Sequence, residues 1–340
     1  MTVIIAERAS FFPPNSNLYF MRESTKATLA GLVGLAATKA DESQKLCGGL
    51  RNSNRIICAL VASICLSGAI DEANAVSLTI TYPGCGSPAT ITWPSGVLEA
   101  NSALGTGTWT PVGATSPYPL SPCTLGGANF YRLNLGGGNY SVNMVGYINV
   151  AVPHGFSLIA NQLNNAPNNS ILTLFPTATT PNFTTIYKFD NALGGYGSEQ
   201  FSGGSWSSGG ATVLNPGEGA FIFAPVAFTA TFVGEVVTGT STVNIPVGFS
   251  ILSSVIPQQG NLYNPANGPA ADLFFGVPQT TESVYQFNNT LGGFATYQFG
   301  TANWSCGCPG PFLNLGESFF NFNSAASGSS QWTRNFVVGP

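Results

Sequence analysis

The chain has 340 residues, of which 7% are charged and 12% aromatic, so its solubility must depend on Asn, Ser, Thr and Gly. The content of aromatic and β-branched residues excludes a disordered chain, because disordered segments lack the side chains that fill a core. After residue 75, three basic residues stand against eight acidic ones, a formal net charge of −5, which excludes nucleic-acid binding because that function needs clustered Lys and Arg.

Residues 51–75 are predicted to be a secretory signal peptide. Arg51 and Arg55 give a positive start, an apolar run covers residues 56–70, and Ala73-Asn74-Ala75 is a small-x-small cleavage site. The apolar run is about 15 residues, shorter than the roughly 20 that cross a bilayer. We therefore expect an exported protein of bacterial type, extracellular or at the cell surface, with no membrane span in its mature form.

Residues 1–50 precede this signal, although a signal peptide normally begins a chain. We expect translation to start near Leu46 or Leu50 at a non-Met codon, so that residues 1–50 do not belong to the fold. Two alternatives stay open: residues 21–40 resemble a weaker signal, or the leader is long.

The first mature segment, residues 76–138, is predicted to be a small β-sandwich domain. Short alternating runs at 76–81, 90–93 and 130–133 are separated by clusters of Gly, Pro and Ser, the pattern of an all-β sandwich. Cys85 and Cys123 could form a disulfide within this domain in an oxidising compartment. Cys306 and Cys308 lie in a later loop and either bridge each other or stay free; a zinc site is disfavoured because further ligands are lacking.

This segment resembles a small immunoglobulin- or fibronectin-like module of bacterial exported proteins. The resemblance rests on the Ile-Thr-Trp run ending at Trp93, Leu98-Glu99, the Trp-Thr-Pro-Val run from Trp109, and Phe-Tyr-Arg-Leu from Phe130. It implies an accessory β domain that carries no catalytic residue.

The rest of the chain is an internal repeat, with repeat 1 at residues 142–236 and repeat 2 at 237–340. Gly-Phe-Ser-Leu-Ile-Ala from Gly155 matches Gly-Phe-Ser-Ile-Leu-Ser from Gly248, and further matches follow at offsets of 98 and 99 residues. Loop insertions between fixed strands produce such small changes of offset. Repeats of this length indicate duplicated structural units.

The repeated segments read as strands joined by turns. In the first strand of repeat 1, we expect one buried face to alternate with an exposed one: Phe156, Leu158 and Ala160 against Ser157, Ile159 and Asn161. Glycine-bearing connections follow at 191–195 and 289–293, where a positive φ is accessible, and Pro216-Gly217 is a further turn. No helix is predicted after residue 76.

Each repeat resembles a β module of exported bacterial proteins that carries Gly-Trp-Asn-Leu-Ile-Ser, Ile-Tyr-x-Tyr/Phe and Leu-x-Pro-Gly-x-Gly-Tyr-Trp-Val. Phe156 and Phe249 replace the first Trp, and repeat 2 departs from the closing turn at Leu315 and Ser318. The resemblance implies export and β structure, and no reaction. The predicted fold class is all-β: a small β-sandwich domain followed by two tandem β-sandwich or barrel-like repeats.

Carboxylates and one histidine are the candidates for chemistry. Glu218 and Glu317 occupy equivalent positions in the two repeats, and glycoside hydrolases use a pair of carboxylates for catalysis. The competing interpretation, which we favour, is that each carboxylate binds backbone N–H groups of its own turn. His154 is the only histidine, and no Gly-x-Ser-x-Gly motif accompanies it. Asp190 and Asn288 are also matched, but acids are too sparse for a calcium site.

Aromatic residues are the candidates for binding. Trp206 and Trp304, with Tyr196 and Phe294, could stack against sugar rings on an uncharged surface; the alternative, which we favour for the tryptophans, is that they fill the core. We therefore predict a secreted, non-catalytic structural or adhesive protein without cofactor or metal. Its expected partners are glycans or cell-surface and matrix components, and its uncharged β edges favour self-association. A carbohydrate-binding module is the first alternative and a hydrolase the second.

Overall fold

The computed structural model describes residues 75–266, 273, 275–324 and 328–339. The predicted leader at 1–50 and the predicted signal up to residue 74 lie outside the described residues, so those predictions stay predictions. Ala75–Pro340 forms one compact unit. Within the described ranges, no helix combines the length and the apolar character needed to cross a membrane.

The described chain is almost entirely β, which confirms the predicted fold class. The strands of the first module are β1 (Thr79–Thr81), β2 (Ala89–Thr92), β3 (Val97–Asn101), β4 (Thr110–Gly113), β5 (Tyr118–Leu120), β6 (Ala128–Gly136) and β7 (Asn139–Tyr140). The strands of repeat 1 are β8 (Val145–Val152), β9 (Gly155–Ile159), β10 (Thr185–Asp190), β11 (Gly195–Ser202), β12 (Ser205–Trp206), β13 (Ala220–Ala224) and β14 (Phe228–Glu235).

The strands of repeat 2 are β15 (Gly239–Ile245), β16 (Gly248–Leu252), β17 (Gly260–Asn261), β18 (Ser283–Asn288), β19 (Gly293–Gln298), β20 (Phe312–Leu313), β21 (Phe319–Asn323) and β22 (Ser330–Phe336). Among the described residues, two short helical turns interrupt the strands: a 3-10 turn at Pro122–Thr124 and one α-helical turn, α1, at Ile171–Leu174, which the sequence did not predict. The Ser170 side chain caps α1 by accepting a hydrogen bond from the backbone N–H of Thr173, the usual role of Ser at this position.

The first module consists of two layers around one core. One layer is the three-stranded sheet β1-β2-β5, and the other contains β3, β4, β6 and β7. Ile91 and Trp93 from the first layer pack with Leu98 and Leu133 from the second, as the alternation of apolar residues along these strands requires. Cys85 and Cys123 form a disulfide, and so do Cys306 and Cys308.

A six-stranded sheet joins the first module to repeat 1. Its path is β14-β8-β6-β3-β4, with β7 attached to β6. Strand β6 pairs with β8 from Ala128 opposite Ile148 to Tyr131 opposite Val145. The predicted boundary between residues 138 and 142 therefore lies within a continuous sheet, at β7 and the start of the segment that leads from β7 to β8, both of which pair with β6.

The two repeats have the same topology. Four strands are ordered β9-β13-β10-β11 in repeat 1 and β16-β21-β18-β19 in repeat 2, all antiparallel. The register is the same: Phe223 lies opposite Phe156, and Phe322 lies opposite Phe249. A second antiparallel pair belongs to each repeat, β8–β14 in the first and β15–β22 in the second. Every sheet of the described chain is open, as in a sandwich.

The predicted burial of the first repeat strand is wrong in one respect. Ile159 and Asn161 were expected on the exposed face, yet both are buried, whereas Phe156, expected on the buried face, is 43% exposed. The side chain of Asn161 donates to the Leu214 carbonyl oxygen and to Asn169 Oδ1, so its burial is compensated. The physical reason is that the core of repeat 1 covers the face of β9 that carries Ile159, whereas repeat 2 covers only part of the other face, where Leu158 is buried and Phe156 is not.

Candidate functional site

The repeats pack against each other through the outer faces of their four-stranded sheets. Leu158 from repeat 1 and Ile251 and Phe320 from repeat 2 form a separate buried cluster. It is completed by partly buried rings that come from both repeats: Phe189, Phe221, Tyr285 and Phe287. Each sheet thus has apolar side chains on both faces, and the interface between repeats buries a part of the outer one.

Reciprocal hydrogen bonds give this interface an approximate two-fold symmetry. The Asn191 side-chain amide donates to the carbonyl oxygens of Val247 (2.9 Å) and Phe249 (2.7 Å). The equivalent Asn289 donates to the carbonyl oxygens of His154 (2.9 Å) and Phe156 (2.7 Å). When equivalent residues of the two halves make the same contacts with each other's half, the interface is of the kind found in symmetric dimers.

The backbone repeats the same symmetry. The N–H of Ala160 donates to the Gly316 carbonyl oxygen (2.8 Å), and the equivalent N–H of Ser253 donates to the Gly217 carbonyl oxygen (3.0 Å). A Cβ on Gly316 would lie 2.2 Å from Val150 Cγ2, so only glycine allows this approach. Both repeats are therefore needed to build the surface described next.

We define the aromatic surface as the twelve outer-face rings of the two sheets: Phe156, Tyr187, Phe189, Tyr196, Phe221, Phe223, Phe249, Tyr285, Phe287, Phe294, Phe320 and Phe322. Within it, a groove of about 460 Å³ is lined by residues of both repeats: Phe156, Tyr187, Tyr196, Phe221, Phe287, Gly292 and Phe294. Tyr196 is 49% exposed and Phe294 48% exposed. These two predicted binding residues occupy equivalent positions on this surface.

The rings are held in tilted and edge-to-face contacts that recur in both repeats. Phe189 and Tyr196 have centroids 5.2 Å apart at 69°, and the equivalent Phe287 and Phe294 are 5.2 Å apart at 73°. Phe221 meets Phe287 across the interface at 5.5 Å and 86°. Such arrangements are favourable for aromatic pairs. They fix the relative orientation of the rings that line the groove.

The groove is electrically neutral. All seven lining residues are uncharged, and the polar side-chain atoms among them are the hydroxyls of Tyr187 and Tyr196. Burial raises the pKa of Tyr196 above its usual range, so this phenol keeps its proton at neutral pH. The groove therefore offers apolar contact area and two hydroxyls, and no charge to attract an ionic ligand.

Trp206 and Trp304 lie inside the repeats rather than on this surface. They are 3% and 2% exposed, and their indole N–H groups donate to the carbonyl oxygens of Phe175 (3.3 Å) and Tyr263 (2.8 Å), respectively. Neither ring has a face open to a ligand. Of the four predicted binding residues, the structure thus places Tyr196 and Phe294 on the aromatic surface and the two tryptophans in the cores.

The matched carboxylates bind their own turns, as the interpretation favoured above expects. Glu218 Oε2 accepts from the Asn215 backbone N–H (2.7 Å), and Glu317 Oε2 accepts from the Asn314 backbone N–H (2.9 Å). Glu218 also forms an ion pair with Lys188 (3.0 Å). Glu218 lines a cleft of about 320 Å³ beside β15, and Glu317 is not among the residues that line it.

The remaining candidates also have local roles. His154 is exposed in the turn before β9. Asp190 Oδ1 accepts from the backbone N–H groups of Ala192 and Leu193, and the equivalent Asn288 Oδ1 accepts from that of Leu291, so both stabilise hairpin turns. In the described part of the chain, no three His, Cys, Asp or Glu residues are grouped as metal ligands.

Sequence reasoning missed Asn191 and Asn289. Both were included in glycine-bearing turns, where Asn is common for local reasons. The available signal was that Asn-x-Leu-Gly-Gly is kept in both repeats, which is more than a turn requires. Leu193 and Leu291, at the tips of these hairpins, are the most exposed large apolar residues on the described surface and were missed for the same reason.

No family model, curated protein or solved structure matches this chain. The functional argument therefore rests on the geometry: an all-β chain with two symmetrically packed repeats that share a neutral, exposed aromatic surface.

Proposed function

We propose that this is an exported, non-catalytic structural or adhesive protein of the cell surface or extracellular matrix, and that the aromatic surface is its contact site. One observation carries the proposal: half-exposed rings from both repeats, Tyr196 and Phe294 among them, surround one uncharged groove. Soluble proteins rarely expose contiguous apolar patches of this kind unless the patch binds something. Leu193 and Leu291, exposed at the tips of the β10–β11 and β18–β19 hairpins, add apolar area at the ends of these two sheets.

Two further features support a non-catalytic role. One oxygen of each candidate carboxylate, Oε2 of Glu218 and Oε2 of Glu317, accepts a hydrogen bond from a turn N–H group. The reciprocal hydrogen bonds between repeats hold the aromatic surface in one arrangement, which suits a contact surface because a rigid surface loses little conformational freedom on binding.

Adsorption of the purified protein to surfaces of defined chemistry tests the proposal. Retention is measured on alkyl-coated and hydroxyl-coated beads for the parent and for the double variant Tyr196→Ser, Phe294→Ser. The variant is expected to lose about tenfold in retention on the alkyl surface, equivalent to roughly 1.4 kcal/mol. Phe312→Ser is the matched control, because this ring is similarly exposed, 46%, and lies outside the aromatic surface.

The control should adsorb as the parent does, and near-ultraviolet circular dichroism should show that both variants keep their packed rings. Equal retention of the double variant and the parent would contradict the proposal. So would an equal loss in the double variant and in Phe312→Ser, because adsorption would then depend on general apolar exposure.

A second candidate function is glycan binding through Tyr196 and Phe294. It is favoured by the hydroxyls of Tyr187 and Tyr196 beside exposed ring faces, since sugars combine apolar faces with hydrogen-bonding groups. Pull-down on insoluble β-glucan and chitin tests it. Retention that soluble oligosaccharide displaces, and that the double variant loses, would favour this candidate over general adhesion; no retention would remove it.

A further inference from the structure

Repeat 2 carries a disulfide in the loop between β19 and β20. Cys306 and Cys308 are bonded across a single glycine, with their Cα atoms 5.2 Å apart. Cys306 is exposed, and Cys308 is half-buried. Cys306 is therefore the cysteine that a thiol from another molecule reaches more easily.

The turn that holds these cysteines is present in both repeats. The Gly307 N–H donates to the Trp304 carbonyl oxygen (2.9 Å), and the equivalent Gly209 N–H donates to the Trp206 carbonyl oxygen (3.0 Å). Both glycines have a positive φ, +62° at Gly307 and +71° at Gly209. The two turns therefore share their closing hydrogen bond and their left-handed residue.

A pair of hydrogen bonds to the preceding strand is also duplicated. The Ser305 N–H donates to the Gln298 carbonyl oxygen (2.8 Å), and Ser305 Oγ accepts from the Gln298 N–H (3.2 Å). Ser207 and Gln200 make the same two bonds in repeat 1, at 2.9 Å and 3.1 Å. These bonds attach each turn to the strand before it, β19 or β11.

Repeat 1 forms this turn without a disulfide. Ser208 and Gly210 occupy the positions of Cys306 and Cys308, at an offset of 98 residues. Because neither Ser nor Gly can form such a bond, hydrogen bonds alone are enough to hold the turn. The disulfide of repeat 2 is therefore an addition to a turn that is already held.

The disulfide of the first module is of a different kind. Cys85 and Cys123 are 38 residues apart, whereas Cys306 and Cys308 are two apart. In the chain-entropy account, a disulfide stabilises less when it closes a shorter loop. Cys85 and Cys123 are both half-buried, and the Tyr82 hydroxyl lies 3.0 Å from each of their sulfurs. This bond has the features of a structural disulfide, and the bond in repeat 2 does not.

The local hydrogen bonding favours a thiolate at Cys306. The backbone N–H of Cys308 donates to Cys306 Sγ (3.3 Å), and a hydrogen bond is stronger when its acceptor is ionised. This bond therefore stabilises Cys306 more as a thiolate, after the disulfide has opened, than as part of the disulfide. Residues 299–316 include no Asp or Glu, so no carboxylate of this stretch opposes the charge.

We propose that Cys306–Cys308 is a thiol–disulfide exchange site that reacts with an external thiol, from a protein cysteine or a small molecule. The external thiolate attacks Cys306 Sγ and forms a new S–S bond with it, while the bond to Cys308 breaks. Cys308 leaves as a thiolate and takes up a proton from water. One disulfide replaces another, so the step consumes no further oxidant, and attack by Cys308 on the mixed disulfide reverses it.

This site lies outside the aromatic surface and goes beyond the adhesive role proposed above. A mixed disulfide joins the chain covalently to a thiol-bearing partner, whereas the aromatic surface offers noncovalent contact. The double variant Tyr196→Ser, Phe294→Ser should therefore exchange thiols as the parent does.

Redox titration of the purified full chain tests the proposal. The protein is equilibrated at graded ratios of reduced (GSH) to oxidised (GSSG) glutathione, quenched with acid and alkylated, and each cysteine is assigned by peptide mass spectrometry. The Cys306–Cys308 bond should open at values of [GSH]²/[GSSG] about tenfold or more below those that open Cys85–Cys123, because exposed disulfides are the labile ones. Opening of both bonds at the same value would overturn the proposal.

Two single variants identify the reacting sulfur. Cys308→Ser keeps the exposed Cys306 and the N–H that donates to it, so it should form a mixed disulfide with oxidised glutathione at least about tenfold faster than Cys306→Ser. Equal rates would overturn the proposal, which assigns the attack to Cys306. Reaction with the disulfide-linked dimer of a single-cysteine peptide as well would show that protein cysteines react, and reaction with glutathione alone would restrict the site to small thiols.

The double variant Cys306→Ser, Cys308→Ser separates this role from a structural one. It should unfold at the same urea concentration as the parent, since repeat 1 holds the same turn without cysteines. Cys85→Ser, Cys123→Ser is the matched comparison and should unfold at a lower urea concentration. An equal lowering in both double variants would make the Cys306–Cys308 bond structural and overturn the proposal.

Discussion

The reciprocal asparagines make a quantitative prediction about the repeat interface. Replacing Asn191 or Asn289 by Ala removes two hydrogen bonds to carbonyl oxygens of the other repeat. A hydrogen bond contributes about 0.5–1.5 kcal/mol net, and water can replace part of these exposed ones. Each variant should therefore lose about 1–2 kcal/mol of unfolding free energy. Neither asparagine has a positive φ, so Ala introduces no backbone strain.

The symmetry adds two conditions to this prediction. The two Ala variants should agree within about 0.5 kcal/mol, and the double variant should approach the sum, because the two sites share no partner. Asn→Asp should cost more than Asn→Ala, because a carboxylate is an acceptor only and would face two carbonyl oxygens. Each kcal/mol corresponds to about 2–4 °C in Tm for a domain of roughly 150–250 residues.

Urea unfolding followed by circular dichroism measures these differences. Asn139→Ala is the control, because its side chain donates within its own hairpin, to the Gly136 carbonyl oxygen, and its loss should stay within about 0.5 kcal/mol. The reasoning is refuted if the Asn191 and Asn289 variants match this control. It is also refuted if Asp is tolerated as well as Ala, since the amide would then not be the donor that joins the repeats.

Three other predictions concern the cores and turns. Trp304→Ala should cost about 3–5 kcal/mol in urea unfolding, because it removes a buried ring and leaves the Tyr263 carbonyl oxygen without its indole donor. Burial raises the pKa of Glu282 above its unfolded value, so the contribution of this group to stability is full below the unfolded pKa and is lost as pH rises through the folded pKa. Glu282→Gln should therefore raise Tm at pH 7 and flatten the dependence of Tm on pH. Equal pH profiles of Tm for the variant and the parent would contradict this prediction. Glu218→Ala should lose about 1 kcal/mol through the Asn215 N–H, while Glu218→Gln keeps most of it.

Some features of the fold followed from local chemistry and were predicted from the sequence. The turns at Gly194 and Gly292 have φ of +62° in both repeats, as the paired glycines indicated. The turn role of Glu218 and Glu317 was also confirmed, because a carboxylate three residues after Asn has backbone N–H groups within reach. These features depend on a few neighbouring residues, which the sequence displays directly.

Other features depend on residues far apart in the chain. Phe183 and Thr281 have φ of +69° and +72°, conformations that only the surrounding structure can impose on such residues. The sheet that continues through β6 and β8 was not predicted, since strand pairing across a predicted boundary leaves no local signal. Phe156 was expected to be buried because an apolar strand residue normally faces the core; in the structure, its face is the one shared with the other repeat.

The symmetric packing explains how apolar residues on the outer faces of the repeat sheets become partly buried. Repeat 1 by itself would expose Leu158, and repeat 2 by itself would expose the equivalent Ile251 and also Phe320; the three form one buried cluster between the repeats. Three residues separate β14 from β15, so the second repeat is held at a high effective concentration beside the first. Duplication within one chain thus supplies both halves of a dimer-like interface. The rings at the margin of that interface stay exposed, because the two sheets cover each other only in part, and the aromatic surface is the consequence.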